Sequence, residues 1–319
     1  MSNTPCRIEP RRTRRDRAFT MDDWFVWGGG LVEEADGLAL YFECWPRDAT
    51  FKGWVTHGRI WRASAESPLG PFHAIGEVNL LGSAPELSAA FNPMPVASEG
   101  KTHVFFTGTT SAEDYWSARN SQRLGLAVYQ GSDLIDVRYP LIDTAGPARA
   151  LMTSNPSAAV TKNGEWVIVF KQVAKGEPPK GGRVSIGLAR AMSPMGPYEI
   201  DPAPILGQTG NSFAFEDPFI FADGNGVSLL VKDMSGEVSG VKGGIVQFYS
   251  DDLIHWRGVN DAVVKREIHW RNGDTETPER LERPFLWRDK SGSGVMLLAA
   301  KWAERSALLP TPVSLEAAQ

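Results

Sequence analysis

One pattern recurs along the chain and restricts its fold more than any other: a polar residue, a proline, then an apolar run. It appears as Asn92-Pro93-Met94, Asn155-Pro156-Ser157, Asp217-Pro218-Phe219 and Arg283-Pro284-Phe285, with the prolines 63, 62 and 66 residues apart. Each copy leads into a turn, at 98–101, 161–165, 222–226 and 289–294, and then into a second apolar run: THVFFTG, WVIVFKQ, VSLLVKD and GVMLLAA. A third run, RLGLAVYQ, VSIGLARA or GGIVQFYS, closes three of the units. One period upstream, Trp27-Gly28-Gly29-Gly30 opens a further copy without the proline, followed by a turn at 33–37, LALYFECW and GRIWRAS. SPLGPF at Ser67 and SPMGPY at Ser193 lie two periods apart.

Short apolar runs separated by Gly- and Asn-containing turns are antiparallel hairpins. Helical periodicity is confined to at most two turns within 112–120. A fixed period of three- or four-stranded meanders fits radial repetition, which protects the strand edges. The reading is an all-β chain, a five-bladed β-propeller with a central funnel site. Residues 1–20 are expected to be a basic N-terminal tail and residues 21–319 a single propeller catalytic domain.

Composition narrows the function classes. Hydrophobic content of 42% supplies a globular core, and no apolar run approaches the roughly 18 to 20 residues that span a bilayer. The basic N-terminus has no apolar signal segment, so the expected location is cytoplasmic, or periplasmic or secreted if a leader has been removed. Cys6 and Cys44 are the two cysteines, and no disulfide between them is expected. A net charge of -5 speaks against nucleic acid, and the Arg11 to Arg17 cluster reads as a solvated tail. No membrane partner is expected, and homo-oligomerisation is left open.

In a propeller the first strand of each blade lines the channel, so the strand starts converge. Trp27, Asn92, Asn155, Glu216 with Asp217, and Glu282 with Arg283 then form one constellation. Carboxylates and amides bond hydroxyls, and an indole covers a sugar's C–H face. Paired carboxylates also suit glycosidic cleavage, one as acid and one as nucleophile or base. The catalytic candidates are Asp217 and Glu282, assisted by Glu216 and Asp233; Glu43 is placed at the position of the first unit equivalent to Asp233. The substrate-binding candidates are Trp27, Trp45, His57, Asn92, Arg123, Asn155, Lys232 and Arg283. Arg283 would hold a carboxylate ionised or bind an acidic sugar. Turn caps, salt bridges and Asn-Pro turns are the competing roles for the same residues. His57, His73, His103, His255 and His269 lack metal-ligand spacing. Gly28 to Gly30 precedes a strand rather than a helix, and no GxSxG elbow occurs. No metal or other cofactor is expected.

WGGG with its acidic turn, WVTHG, QRLGLA, LMTSNPS, FEDPFIF with VKDM, and LERP together resemble bacterial five-bladed propeller proteins of the glycoside hydrolase type. These are related to the superfamily of glycoside hydrolase families 32, 43, 62 and 117. The resemblance runs from about Trp24 to Trp302. It implies hydrolysis at the end of a plant or algal oligosaccharide by an aspartate and a glutamate at the funnel. Asp217 matches the aspartate of the EDP or RDP motif, and Glu282 matches the funnel glutamate that often serves as acid. Family 43 carries its base as an aspartate at the start of the first blade. Trp27-Gly28-Gly29 stands there in this chain, which leaves two alternatives: Asp22 or Asp23 upstream substitutes, or the roles are redistributed as in families whose key residues lie in the last two blades. Two alternatives stand beside hydrolysis. One is a glycoside phosphorylase with a phosphate pocket drawn from Arg283, Lys232 and Arg123; the other is a non-catalytic carbohydrate-binding propeller.

Overall fold

In a computed structural model, which describes residues 5–142, 150–259, 262–289 and 293–317, the repeat resolves into five four-stranded antiparallel sheets. They are arranged as the blades of a propeller. Blade 1 runs Trp24–Glu34, Gly37–Pro46, Arg59–Ala65 and Phe72–Glu77; blade 2 runs Ala89–Ser98, Lys101–Thr109, Arg123–Gln130 and Asp133–Ile142. Blade 3 runs Met152–Val160, Trp166–Val173, Val184–Ala191 and Glu199–Ile200; blade 4 runs Phe215–Asp223, Gly226–Asp233, Gly244–Ser250 and Arg257–Gly258. Blade 5 is made of Arg280–Arg288, Gly294–Trp302 and Arg305–Ala317, completed by Cys6–Pro10. The turn at 289–294 falls partly outside the described residues.

Each blade is sandwiched between two others, so both of its faces are apolar. Val167, Val169 and Leu188 of blade 3 pack with Ile220, Leu229 and Val231 of blade 4. Tyr41 and Ile60 of blade 1 pack with Val104 and Phe106 of blade 2. Burial on both faces explains why the second strands read as unbroken apolar runs rather than alternating ones. The triple glycine of blade 1 reflects crowding near the axis. A Cβ on Gly30 would lie 2.6 Å from both Phe285 of blade 5 and Pro95 of blade 2.

The expected solvated tail is instead part of the propeller. Cys6–Pro10 pairs antiparallel with Val313 to Ala317 and forms the outer strand of blade 5. Arg11 donates its N–H to the Pro312 carbonyl, and the buried Thr13 hydroxyl meets that of Thr311 at 2.8 Å. Phe19 pairs with Leu308 and packs edge-on against Phe42 at 5.1 Å. Arg15 stacks over Trp270 at 4.3 Å and ion-pairs with Glu276 at 3.2 Å. Five residues with one buried aliphatic side chain, Ile8, carry no strand periodicity of their own. The exposed ladder groups of Arg305–Ala317 make them a strand.

Deleting residues 1–12 removes this strand and the burial of Ile8. The melting temperature is expected to fall by about 5 °C or more, with increased self-association from the bared edge. Differential scanning fluorimetry and light scattering check this. An unchanged melting temperature would mean that the closure is not stabilising.

Candidate active site in the central funnel

Every inner strand is interrupted at the repeat's signature dipeptide. The pairing register jumps between Phe91 and Met94, Ser154 and Ser157, Glu216 and Phe219, and Glu282 and Phe285. In blade 1 it jumps between Val26 and Gly29. Proline has no N–H to give to the ladder, so it sits at a bulge. The residue before it is left-handed in all four proline-bearing blades: φ is 55° at Asn92, 54° at Asn155, 54° at Asp217 and 58° at Arg283. Asn and Asp tolerate this conformation, whereas for Arg it is uncommon and strained.

The four bulge side chains meet across the channel. Asn92 Nδ2 donates to Asn155 Oδ1 at 2.8 Å, and Asn155 Nδ2 donates to Asp217 Oδ1 at 2.5 Å. Arg283 Nη1 donates to the same Asp217 oxygen at 3.2 Å, with both side chains buried. Blade 1 offers glycine at the proline-equivalent position. A Cβ on Gly28 would stand 2.8 Å from Arg283 Nε, so the missing side chain of blade 1 is the space that Arg283 occupies.

Above this chain of bonds opens a pocket to which all five blades contribute. One wall, all from blade 1, is aromatic: Trp27, Trp45, Phe51 and Trp54. Phe51 meets Trp27 and Trp45 at ring distances of 5.0 and 5.3 Å, and Trp45 Nε1 is fixed by the Thr50 carbonyl at 3.0 Å. The facing wall carries Lys171, Glu216, Arg280 and Glu282, with Glu43 below.

Charge alternates along blades 3 to 5. Lys171 on the second strand of blade 3 reaches Glu216 on the inner strand of blade 4 at 2.8 Å. Lys232, at the equivalent place in blade 4, ion-pairs closely with Glu282 of blade 5 and stands 4.0 Å from Glu216. Arg280 lies 3.5 Å from the other Glu282 oxygen. Burial pushes Glu216 up, but Lys171 and Lys232 outweigh it and hold its pKa below the usual carboxylate range. Burial opposes the Lys232 ammonium, yet Glu282, Glu216 and Asp217 outweigh it and raise its pKa. At Glu282 burial dominates and, with Asp217 and Glu216 nearby, raises the pKa against the pull of Lys232.

Glu43 has no such cation bonded to it. It sits on the second strand of blade 1 opposite the bulge, between Phe42, which faces Gly29, and Cys44, which faces Val26. The same position in the other blades holds Phe106, Phe170, Val231 and Leu298. Burial raises its pKa to about 8; Arg283 and the Asn92 N–H, donated to Oε2 at 3.1 Å, offset this only in part. At neutral pH Glu43 holds its proton.

Of the residues expected from the sequence, the pocket brings together Trp27, Trp45, Asn92, Asn155, Glu216, Asp217, Glu282 and Arg283. The others lie elsewhere. Lys232 stands behind Glu282 rather than on the wall. Asp233 faces Phe215, as Trp45 faces Phe25, so its counterpart in blade 1 is Trp45 and not Glu43. Its carboxylate accepts the N–H groups of Gly236, Val238 and Ser239 and organises that loop. His57 is exposed and bonds Thr56 at 2.8 Å. Arg123 donates to the Asn120, Gln122 and Leu151 carbonyls. Asp22 and Asp23 are exposed and off the pocket. Lys171, Arg280 and Phe51 were not anticipated. Lys171 was legible from aligning WVIVFKQ with VSLLVKD, but Phe51 belongs to an excursion, 47–57, that has no counterpart in the repeat.

No protein-family model matches the chain, and no curated protein matches it. Solved structures do. A protein described as a glycoside hydrolase superposes with a TM-score of 0.72 at 12% identity, covering 97% of this chain and 92% of that one. A family 117 glycoside hydrolase from the marine bacterium Zobellia galactanivorans gives 0.65 at 14%, over 99% and 92%. An endo-arabinase from Bacteroides thetaiotaomicron gives 0.58 at 15%, over 95% and 97%. The chain shares their five-bladed fold.

The state of Glu43 has a consequence for stability. Its folded pKa, about 8, lies above the ordinary carboxyl value of 4.5, so between those values the folded protein keeps a proton that the unfolded chain has released. Stability therefore drains away as pH rises through this window. Glu43→Gln is expected to flatten the fall in melting temperature between about pH 4.5 and 8. An equally steep fall in the variant would contradict the assignment.

Proposed function

We propose that this protein is a glycoside hydrolase that takes the end of an oligosaccharide into the funnel. The observation that carries the reading is a pair of carboxyl groups held by different partners within one aromatic-walled pocket. Glu43 is protonated at neutral pH; Asp217 is bonded through Oδ1 by Asn155 and Arg283. Separating two carboxyl groups in this way is how a site assigns acid and base roles. Glu43 would protonate the leaving oxygen, and Asp217 would use Oδ2, which has no bonded protein partner among the described residues, as nucleophile or as base on water. The glycoside hydrolases that share the fold support the same class. The bonded chain from Asn92 to Arg283 floors the pocket, which suits a chain end. This chemistry needs carboxyls and water alone.

Glu282 is the second candidate for the acid, because its pKa is also raised. Its two oxygens already face Lys232 and Arg280, whereas no cation is bonded to Glu43, which makes Glu43 the better donor. Of the cations expected to hold phosphate in a phosphorolytic reaction, Lys232 is committed to Glu282 and Glu216 and Arg123 to backbone carbonyls, which leaves Arg283 alone for that role. The missing first-blade aspartate, which points toward a binding-only propeller, is answered by Glu43 from the strand beside it.

A screen of oligosaccharides and aryl glycosides, with and without phosphate, tests the class; phosphate-independent release of sugar is expected. Asp217→Asn should lower turnover by about a thousandfold or more on every substrate. Glu43→Gln should lower it by about 10² to 10⁴ on natural glycosides and far less on aryl glycosides whose leaving group needs no proton. If Glu282→Gln shows that split and Glu43→Gln does not, the acid is Glu282. Release of sugar by Asp217→Asn at the wild-type rate would exclude Asp217 from the chemistry.

A further inference from the structure

We infer that the funnel is built for an anionic sugar, one bearing a carboxylate or a sulfate, with Arg280 at the mouth and Arg283 at the floor as the groups that recognise it. The inference rests on the reading of the funnel as a sugar site and names the class of sugar.

Two guanidinium groups in the pocket wall have donors to spare. Arg283 has five N–H bonds and is 9% exposed. Nη1 bonds Asp217, Nε is buried without a partner, and Nη2 bonds no other group among the described residues. Arg280 is half exposed, 3.5 Å from Glu282 and 5.5 Å over the Phe51 ring. A guanidinium resting on an aromatic face and loosely tied to one carboxylate is free to turn its fork to another.

The wider charge count points the same way. Four cations bear on the funnel: Lys171, Arg280 and Arg283 in its wall, and Lys232 directly behind Glu282. Four carboxyls oppose them, Glu43, Glu216, Asp217 and Glu282, of which Glu43 is neutral at pH 7. With Glu282 counted as ionised, the funnel is thus cationic by one charge in a chain whose net charge is -5. A local field opposed in sign to the whole molecule, inside a concave low-dielectric wall, concentrates ligands of the opposite charge. A neutral sugar would leave that charge uncompensated. An anionic substituent near the aromatic wall satisfies the open donors, while its ring lies against Trp27 or Trp54.

The test is binding, measured apart from hydrolysis. Oligosaccharides of galacturonate, glucuronate and mannuronate are titrated calorimetrically, each beside its methyl ester, which keeps the shape and removes the charge. Sulfated galactans are titrated beside their desulfated forms. For at least one pair the charged member is expected to bind about tenfold or more tightly, with the preference shrinking as salt rises from about 0.05 to 0.5 M. Which pair shows it separates carboxylate from sulfate. Arg280→Gln, at a half-exposed position, is expected to keep the wild-type melting temperature and to reduce the preference to near unity. Equal binding of charged and neutral members throughout the panel, including no binding by either, overturns the inference. So does a preference undiminished in Arg280→Gln. Cleavage of neutral glycans without a charge preference would leave the hydrolase reading standing while this one falls. Tight binding of anionic glycans without cleavage does the reverse.

Discussion

Asp217 Oδ1 accepts from Asn155 Nδ2 on one side and from Arg283 Nη1 on the other, so blades 3, 4 and 5 meet at a single oxygen. Three separate features of the sequence converge on that atom. The prolines force a bulge into each inner strand, the bulge turns its polar residue into the channel, and Gly28 leaves the room that Arg283 needs. Arg283 shows how the bond and the backbone depend on one another. It holds a left-handed φ of 58° that an arginine seldom adopts, a strain of order 1 to 3 kcal/mol. Its charge would be stranded in the interior without Asp217.

The electrostatic pattern around that centre follows from which strand faces which. In blades 3 and 4 a lysine on the second strand reaches across to the glutamate that begins the next blade, giving the sequence Lys171, Glu216, Lys232, Glu282. Blade 1 sends a glutamate across instead, and what Glu43 meets in blade 2 is a backbone N–H rather than an ammonium. An amide dipole does not compensate for removal from water as a cation does. The lysines on one side of the funnel therefore hold Glu216 below the usual carboxylate range, while on the other side burial raises Glu43 to about 8.

The propeller was legible because the repeat acts on many residues at once: periodic prolines, turns and apolar runs point to the same strands five times over. Asp217 was legible for a related reason, as an aspartate where blades 2 and 3 carry asparagine; Glu282 was expected at the same place one blade on, but by the register it is the counterpart of Glu216, and Arg283 is the counterpart of Asp217. Glu43 was seen but misplaced by two residues, because strand ends in the sequence do not reveal the bulge that shifts one strand against its partner. Aligned on the bulge, it is the one acid in a column otherwise holding Phe106, Phe170, Val231 and Leu298. Phe51 and the outer strand at Cys6–Pro10 were hidden differently. Neither has a periodicity of its own, and each takes its conformation from a surface that another part of the chain provides.

The pairing of Cys6–Pro10 with the last strand also sets the order in which the molecule is completed. Cys6–Pro10 cannot take up its final place until Arg305–Ala317, made much later, is present. This contact spans nearly the whole chain, the kind of closure that is slow to form. Glu43 and the aromatic wall come from the first blade, and Glu282 and Arg283 come from the fifth. A nascent chain with four finished blades thus holds most of the core and no complete funnel. Glu43 and the arginine-held Asp217 come into one another's field only when the ring shuts.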